Sequence, residues 1–437
     1  MIARATLLAK KVLVRAEEDL VYLYNKQNGA VLRMKNSDYQ QLITNNLEND
    51  SAFAQVISIL AEQGMLAEHK FKALVPKSFS AISGQHATIF GLQSTLNPFT
   101  VLWALTARCN LNCSYCFPAA KTVQPIHTAL SYAELEQIAT QLIAAKVMQI
   151  TFSGGEALLE KNIWQIIATL YPHNAKLVLI TNGTVLTEAI INYLRQYEII
   201  TAVSLDAYSE AINAKTRGAN VLAQTLEGIS KLKAAKIPLV ILVTVTRFNF
   251  DILYQHIKFI AEELQIPHIT LQDLRPFGTV DAYNNLRLHK EQEQKLPELI
   301  TKLKTDFPQV NFNFTELAIF PIMPSKTIKT GKTMQCPAGY NIAYIDFFGD
   351  LYPCTHLPSM KLGNLLRDGT ITELWRNSET MLKLRELKNR NITTLSRCKD
   401  CTLKIYCDGG CRGDAMFYQQ NLYGLASRCP IEMGISC

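Results

Sequence analysis

Three cysteines lie close together in the first third of this 437-residue chain, in the stretch Thr106-Ala-Arg-Cys-Asn-Leu-Asn-Cys-Ser-Tyr-Cys-Phe117, here termed the cysteine loop. Cys109, Cys113 and Cys116 have the spacing C-x3-C-x2-C. A [4Fe-4S] cube normally takes one thiolate per iron, so three thiolates leave one iron open to a group other than protein. The spacing predicts a cluster whose open iron is the reactive centre.

The same spacing also occurs in structural zinc knuckles and disulfide pairs. Zinc knuckles usually pair two ligand sets, and no fourth Cys or His at matching spacing lies near this loop. The start of the chain has too short and too interrupted an apolar run for a signal peptide. We therefore expect a cytoplasmic protein whose eleven cysteines ligate metal rather than form disulfides.

The composition, 48% hydrophobic and 19% charged, predicts a globular chain of two or three domains. No window reaches 18 uninterrupted apolar residues, so no membrane span is expected. The net charge of +7 is spread thinly, without a basic run of five or more. The sequence thus predicts neither a membrane nor a nucleic acid as partner.

From Phe99 onward, strand patterns alternate with amphipathic helix patterns. Six strands are predicted, at Phe99–Leu105, Met148–Phe152, Lys176–Ile180, Ile200–Ser204, Leu239–Val245 and His268–Gln272. Helices are predicted between or after them, among others at Tyr132–Lys146, Leu222–Ala235, Ile252–Leu264 and Pro297–Lys304. Six such units imply an α/β fold with a parallel sheet, whose active site lies beyond the carboxyl ends of the strands.

Two polar stretches follow these strands at the expected catalytic end. The cysteine loop comes directly after the first strand, and Ser153-Gly-Gly-Glu156 comes directly after the second. Two glycines allow a backbone to approach a ligand closely. Gly-Gly-Glu alone is more often an ordinary turn, so its position in the chain gives it weight.

A third region is marked by seven further cysteines. Their spacing is C-x12-G-x4-C and then C-x2-C-x5-C-x3-C-x17-C, formed by Cys336, Gly349, Cys354, Cys398, Cys401, Cys407, Cys411 and Cys429. In isolation, the C-x2-C-x5-C-x3-C part is also compatible with zinc. Together with the cysteine loop, the pattern favours iron-sulfur clusters.

Residues 1–70 predict a small separate unit of the winged-helix type. Short β-rich runs at Lys11–Arg15, Leu20–Tyr24 and Ala30–Met34, with a turn at Asn28-Gly29, precede helices at Tyr39–Asn45 and Ser51–Gln63. Winged helices commonly bind DNA. The second helix, however, has no Lys or Arg, and residues 1–70 carry eight basic and eight acidic residues. Phosphate contacts are therefore not expected.

The cysteine loop, including Tyr115, resembles the cluster motif of the radical S-adenosylmethionine (SAM) enzymes. The resemblance implies that SAM chelates the open iron and is split by one electron to a 5'-deoxyadenosyl radical. It further implies contacts of Gly154, Gly155 and Glu156 with the amino end of SAM. Ribose and carboxylate contacts are implied for Asn182, Ser204, Asp206 and Arg217, and adenine contacts for Tyr115 and Leu274. Asn182 and Asp206 are also ordinary capping or turn residues, and Ser204 and Arg217 are also compatible with scaffold roles.

The later cysteines resemble the SPASM domain of radical SAM enzymes that mature peptides and proteins. The resemblance implies two auxiliary [4Fe-4S] clusters, for three in all. One ligand set would be Cys336, Cys354 and Cys411; the other would be Cys398, Cys401, Cys407 and Cys429. Seven ligands leave one iron without a cysteine, so Cys437, a water, another side chain or the substrate would complete the first set.

The N-terminal pattern resembles the peptide-recognition domains similar to the pyrroloquinoline quinone chaperone, in which a leader peptide adds a strand to the sheet edge. A plain docking domain is the alternative. The predicted organisation is a recognition domain at 1–70, a linker at 71–97, a partial (β/α)6 barrel at 98–310 and a SPASM domain at 311–437.

This organisation predicts an enzyme that installs a carbon–carbon or thioether crosslink in a ribosomally made precursor peptide, with an electron donor such as flavodoxin or ferredoxin. One alternative is oxidation of a protein Cys or Ser side chain, as in anaerobic sulfatase maturation. Another is an iron-sulfur DNA-binding regulator. No Asp or Glu stands out as a general base.

The cluster assignment predicts a metal content. Protein purified without oxygen is expected to contain about twelve irons per chain, because three cubes hold four irons each. Iron, sulfide and zinc analysis measures this directly. Zinc in place of iron would contradict the assignment.

Overall fold

The computed structural model describes residues 11–26, 31–44, 59–61, 65–66, 95–116, 130–274, 283–315, 336–387, 398–401, 409–424 and 426. They fall into two compact units, one within residues 1–96 and one that begins at Asn97. Among these residues, no helix combines the length and the hydropathy that crossing a bilayer requires.

The first unit contains a three-stranded antiparallel sheet in the order β1-β2-β3. The strands are β1 (Val12–Glu17), β2 (Leu20–Asn25) and β3 (Val31–Lys35), and helix α1 (Asn36–Thr44) follows β3 directly. Val21, Leu23 and Leu32 on one sheet face pack with Leu42 and Leu60 in a small core. The predicted strands are confirmed, and α1 begins at Asn36 rather than at Tyr39.

Parts of the predicted N-terminal pattern lie outside the described residues. These are the Asn28-Gly29 turn and most of the second helix, of which 59–61 are described and are helical. The linker is described only at its end, from Thr95 to Asn97, before the first strand of the second unit.

The second unit is built on a ten-stranded sheet in the order β10-β9-β8-β7-β6-β5-β4-β11-β12-β13. The eight strands from β10 to β11 in this order are parallel. The strands are β4 (Thr100–Ala104), β5 (Gln149–Ser153), β6 (Lys176–Thr181), β7 (Ile200–Ser204), β8 (Leu239–Val245), β9 (His268–Asp273), β10 (Asn311–Thr315), β11 (Ile342–Ile345), β12 (Asp350–Tyr352) and β13 (Gly363–Asn364).

Helices alternate with the strands of the barrel and place their apolar faces on the sheet. They are α2 (Tyr132–Ala144), α3 (Ile163–Leu170), α4 (Glu188–Gln196), α5 (Glu210–Arg217), α6 (Leu222–Ala234), α7 (Leu253–Lys258) and α8 (Lys290–Asp306). Helix α2 begins at a capping box of Ser131 and Glu134, which satisfies backbone N–H groups of the first turn. Trp103, Phe152 and Ile241 are fully buried in the shared core.

Three shorter helices follow β13, namely α9 (Ile371–Asn377), α10 (Glu379–Glu386) and α11 (Arg412–Gln419). Single turns of 3-10 type lie at Ala157–Leu159, Tyr171–His173 and Phe250–Ile252. A π-helical turn at Phe259–Glu263 continues α7, so the predicted helix Ile252–Leu264 is made of three helix types.

The predicted last barrel helix was too short. The sequence places Pro297 in its first turn, but α8 begins at Lys290 and contains Pro297 inside. At the N-terminus of α8, the side-chain oxygen of Gln292 accepts a hydrogen bond from His289 N at 3.1 Å. Proline lacks the backbone N–H for one helical bond, and the packing of Leu296, Ile300 and Leu303 holds the helix nevertheless.

The six predicted barrel strands are confirmed, but the sheet extends beyond them on both sides. Strand β10 pairs with β9 and begins one residue past the predicted barrel end at 310. Strand β11 pairs with β4, with Ile342 opposite Thr100 and Ile345 opposite Trp103. The region after 336 thus continues the barrel sheet, and a hairpin at Gly349 joins β11 to β12.

A glycine of α6 marks a tight contact between helix and sheet end. A Cβ atom on Gly228 would lie 2.0 Å from the carbonyl oxygen of Gly183. Replacing glycine by alanine inside a helix ordinarily stabilises it by about 1 kcal/mol. Here we expect Gly228→Ala to lower the free energy of unfolding by about 1–3 kcal/mol, because backbone must move.

Thermal unfolding followed by circular dichroism measures this effect. Gln224→Ala, at an exposed position of the same helix, is the matched control and should leave the melting temperature nearly unchanged. Equal melting temperatures for both variants would contradict the described packing.

Candidate functional site

The cysteine loop follows β4 and is held by backbone hydrogen bonds to the segment after β5. Leu105 N donates to Ser153 O at 2.9 Å, Gly155 N donates to Thr106 O at 2.7 Å, and Glu156 N donates to Arg108 O at 2.7 Å. The loop has no regular secondary structure of its own here, so these bonds fix where it begins. We refer to this contact as the backbone seam.

Both glycines of Ser153-Gly-Gly-Glu156 are required by the backbone seam. A Cβ atom on Gly154 would lie 2.4 Å from Thr106 O, and one on Gly155 would lie 2.3 Å from Arg108 O. Gly154 also has φ +141°, which side chains rarely adopt. The glycines therefore allow the cysteine loop itself to approach closely, a role that sequence reasoning had assigned only toward a ligand.

The carboxylate of Glu156 is buried and joins two strand ends. One oxygen accepts a hydrogen bond from Asn182 N at 2.8 Å, and the other accepts from Leu158 N at 3.2 Å. Burial raises the pKa of Glu156, while these two N–H groups oppose the shift. Both oxygens already have partners, so Glu156 fastens the end of β5 to the end of β6.

Asn182 also reaches the cysteine loop through its side chain. Its amide nitrogen donates to Asn110 Oδ1 at 2.9 Å, and its amide oxygen accepts from the hydroxyl of Thr184 at 2.6 Å. Asn110 in turn donates to that hydroxyl at 2.8 Å. Sequence reasoning missed Asn110 and Thr184; the only signal was the position of Asn110 between two of the cysteines.

The other side of the cysteine loop is tied to the C-terminal end of α5. Ser114 N donates to Thr216 O at 2.7 Å, and the Ser114 hydroxyl donates to Lys215 O at 3.2 Å. Ser114 lies between Cys113 and Cys116, so both flanks of the ligand triplet are anchored to the barrel.

Three predicted SAM-contacting residues form one buried group, here termed the Tyr-Asp-Arg triad. The hydroxyl of Tyr115 donates to Asp206 Oδ2 at 2.6 Å and accepts from Arg217 Nη1 at 2.7 Å. The same Arg217 nitrogen lies 3.6 Å from Asp206 Oδ2, and the other Asp206 oxygen accepts from Thr244 N at 2.9 Å. The triad connects the cysteine loop, the segment after β7 and α5. Through Thr244 N it also reaches the end of β8.

One N–H group of the triad, Arg217 Nε, has no partner among the described residues. Arg217 is 5% exposed, and its Nε has no hydrogen-bond partner among the residues that the structure describes. A buried donor without a partner is costly, and a carboxylate is the acceptor that best suits a guanidinium. The orphaned Nε therefore fits the predicted contact of Arg217 with the carboxylate of SAM.

Two predicted adenine contacts share one apolar cluster. Leu274 packs with Tyr283 and Leu286, and Tyr115 and Phe248 pack against this group. An apolar site next to the cysteine loop fits a flat purine ring. Ser204 lies at the carboxyl end of β7, directly before the segment that carries Asp206.

The three thiols of the cysteine loop lie close enough to act on one another electrostatically. Cys109 and Cys116 both act electrostatically on Cys113, and burial raises the pKa of the Cys113 thiol to about 11. One zinc ion would hold each sulfur at about 2.3 Å, whereas a cube spreads its thiolates over separate irons. The described residues contain no group of three His, Cys, Asp or Glu side chains gathered as around one ion.

Five of the seven later cysteines are described, namely Cys336, Cys354, Cys398, Cys401 and Cys411; Cys407, Cys429 and Cys437 lie outside the described residues. The segments of Cys354 and Cys411 touch. Gly413, two residues after Cys411, lies against the backbone of His356, where a Cβ atom would lie 2.3 Å from the carbonyl oxygen. This contact fits the prediction that both cysteines bind one cluster.

Arg412 is a residue of this region that sequence reasoning missed. It is buried, and its guanidinium donates to the carbonyl oxygens of Gly410 at 3.0 Å, Leu422 at 3.0 Å and Gly424 at 2.9 Å. These bonds hold the segments on both sides of α11 together, directly after Cys411. Nothing in the local sequence distinguishes Arg412 from an exposed arginine.

Two family models match parts of this chain. Residues 103–260 match the radical SAM superfamily, and residues 336–402 match the SPASM iron-sulfur cluster-binding domain. The α/β radical SAM fold with a C-terminal SPASM domain is therefore confirmed. Neither match includes any part of residues 1–96.

One solved structure resembles nearly the whole chain. SuiB from Streptococcus suis, bound to S-adenosylmethionine, has a TM-score of 0.69 at 17% identity and covers 96% of this chain and 99% of that chain. SuiB bound to the precursor peptide SuiA has a TM-score of 0.69 at 16% identity and covers 96% and 98%, respectively.

Two proteins with different named activities are similar to this chain in sequence. Mycofactocin maturase MftC from Mycolicibacterium smegmatis is 26% identical over 337 residues, which are 76% of this chain and 82% of that protein. The AdoMet-dependent heme synthase from Methanosarcina barkeri is 27% identical over 339 residues, 73% of this chain and 92% of that protein.

The Tyr-Asp-Arg triad yields a prediction for one hydroxyl. Tyr115→Phe should lower the stability by about 1–3 kcal/mol, because Asp206 and Arg217 lose the partner that lies between them. Thermal unfolding and iron content measure the loss. Tyr208→Phe, on a side chain that is 39% exposed, is the matched control and should behave like the unaltered protein. A Tyr115→Phe protein as stable as this control would contradict the triad.

Proposed function

The chain is a radical SAM enzyme that carries a SPASM domain, and on this premise we propose that it matures a ribosomally synthesised precursor peptide. The modification would be a carbon–carbon or thioether crosslink. The observation that carries the proposal is the separate N-terminal unit, since it provides a place for the peptide's leader segment.

The likeness to SuiB supports this use of the N-terminal unit. The part of this chain outside the SuiB superposition is 4%, which is far less than the unit within residues 1–96. Most of that unit therefore has a counterpart in a protein that was solved with a precursor peptide bound. The barrel and the SPASM domain alone carry less information about the substrate, because their relatives include both a mycofactocin maturase and a heme synthase.

The sheet of the N-terminal unit offers edges for a leader peptide. Among the described residues, β1 and β3 each pair with β2 alone, so each could present one edge to a further strand. Such β-augmentation gives affinity through main-chain hydrogen bonds. The predicted second helix has no Lys or Arg, which argues against the DNA-binding alternative.

Particular residues of the candidate site would hold the proposed cofactors. Cys109, Cys113 and Cys116 would hold the cluster whose open iron binds SAM, and the bound pair supplies a 5'-deoxyadenosyl radical on one-electron reduction. Arg217 Nε would donate a hydrogen bond to the SAM carboxylate, and the cluster of Leu274, Tyr115 and Phe248 would hold the adenine.

The contacts of Gly154, Gly155, Glu156, Asn182, Ser204 and Asp206 with SAM stay predictions. For Glu156 and Asp206, the structure favours positioning through neighbours over direct contact, because all their carboxylate oxygens already accept hydrogen bonds.

Two auxiliary clusters would complete the enzyme. Cys336, Cys354 and Cys411 would bind the first, and Cys398, Cys401, Cys407 and Cys429 the second. The touching segments of Cys354 and Cys411 support the first set. The electron donor would be a flavodoxin or a ferredoxin in the reducing cytoplasm, where the cysteines stay available for iron.

Oxidation of a single Cys or Ser side chain in a folded protein is the rival activity. Such a reaction needs no leader-binding unit, so the N-terminal unit disfavours it. The two activities are separated by their substrates and by which bonds the product contains.

The proposal is tested by co-expression with any short peptide that is found encoded next to the gene. We expect the peptide to lose two hydrogens per crosslink, and tandem mass spectrometry locates the bond. Replacing Cys109, Cys113 and Cys116 by Ala should abolish the change. An unchanged peptide together with a modified sulfatase would favour the rival activity.

A second arm tests the leader. A peptide without its N-terminal segment should be modified about a hundredfold more slowly, because docking on the N-terminal unit raises the local concentration of the core segment. Equal rates for the full and the shortened peptide would contradict a recognition role for this unit.

A further inference from the structure

Two cations lie on one aromatic ring at the mouth of the site. Lys215 Nζ is 5.1 Å and Arg247 Cζ is 4.8 Å from the centroid of the Phe248 ring. Both distances are within the range of cation–π contacts. Lys215 belongs to the last turn of α5, and Arg247 and Phe248 directly follow β8. Two separate catalytic-end segments thus bring positive charge to the same ring.

The described part of the chain supplies no counter-ion to either cation. Among the residues that the structure describes, no carboxylate forms an ion pair with Lys215 or Arg247. Lys215 is exposed and Arg247 is half-buried, so both can be reached from outside. Both cations add positive potential at this ring, so an anion bound there would be attracted by both.

The cation pair lies next to the reactive loop. Ser114, between two cysteines of the cysteine loop, donates a hydrogen bond to the backbone carbonyl of Lys215 at 3.2 Å. Phe248 packs against the cluster that also contains Tyr115 and Leu274. Any group held by this pair would therefore lie beside the place proposed for SAM.

A neighbouring arginine shows what a neutralised cation looks like in the same region. Arg287 lies 5.8 Å from the ring of Tyr283, but its guanidinium is also 3.3 Å from the carboxylate of Glu293. The protein has supplied an internal anion for Arg287. Among the described residues no carboxylate pairs with Lys215 or Arg247, so an anionic ligand would supply the opposite charge.

We propose that Lys215 and Arg247 bind a carboxylate of the peptide substrate and thereby place its reacting segment beside the cysteine loop. This inference rests on the proposed function and names a chemical feature of its substrate. Fixing one charged point next to the reacting carbon reduces the positional freedom of the substrate. A peptide carboxylate can come from an Asp or Glu side chain or from the C-terminus, and the chemistry is the same for both.

The test uses three synthetic nonapeptides of one neutral sequence. The first has both ends blocked, the second is blocked and has one central Glu, and the third has a free C-terminal carboxylate. Binding to the full-length, iron-reconstituted enzyme is measured without oxygen by isothermal titration calorimetry. Saturating SAM is present, so that its own carboxylate is already bound.

We expect at least one acidic peptide to bind about tenfold more tightly than the neutral one at low salt, from two partly exposed ion pairs. The preference should shrink at high ionic strength. A preference for the second peptide identifies a side-chain carboxylate, and one for the third identifies the C-terminus. Equal affinity for all three peptides would overturn the proposal.

Variants assign the preference to the two cations. Lys215→Gln and Arg247→Gln should each reduce it about threefold, and the double variant should abolish it. Arg247→Lys, which keeps the charge, should retain most of it. Arg287→Gln is the matched control and should retain all of it. A preference that survives the double variant, or that Arg287→Gln removes equally, would overturn the assignment.

The proposed function is judged separately by SAM cleavage. The unaltered enzyme, reduced with dithionite, should convert SAM to methionine and 5'-deoxyadenosine in the absence of any peptide. Cleavage of SAM without a preference for acidic peptides would contradict only the carboxylate site. Absence of SAM cleavage in an iron-loaded protein would contradict the proposed function itself.

Discussion

The backbone seam between the cysteine loop and the Gly154-Gly155 segment is the constraint on which the candidate site depends. A loop without regular structure cannot hold three ligands in place by itself, because each residue would retain its backbone freedom. The seam removes that freedom at the start of the loop through two hydrogen bonds of 2.7 Å. It works only with glycine at both positions, since any side chain would meet a carbonyl oxygen at less than 2.5 Å.

The other contacts that hold the loop are hydrogen bonds of side chains at the ends of neighbouring strands. Glu156, Asn182 and Asp206 stand at the ends of consecutive parallel strands, and each reaches sideways to the next strand or back to the loop. Buried polar groups of this kind specify one arrangement, because every alternative leaves a donor or an acceptor without a partner. Among the described residues the Nε of Arg217 has no partner, and it is the position at which we expect a ligand.

The sheet also links the two cysteine regions. Strand β4 ends in the cysteine loop, and its other neighbour is β11, which leads through the Gly349 hairpin toward Cys354. One strand therefore supports both regions of the same compact unit. Relatives that share this part of the chain include a mycofactocin maturase and a heme synthase, so the common framework by itself does not fix the activity.

Local information in the sequence was sufficient for the cysteine spacing, the six barrel strands and the N-terminal sheet. Cysteine spacing follows from ligand chemistry, and alternating patterns follow from burial of one face, so both are visible without the fold. The sequence also pointed to Tyr115, Asp206 and Arg217, but as separate contacts with SAM. The folded structure shows in addition that they form one triad, that Gly154 and Gly155 allow the backbone seam, and that β11 extends the barrel sheet. These contacts join residues that are about 50 to 240 positions apart in the chain, and no local pattern encodes which distant partner a polar group or a short strand will find.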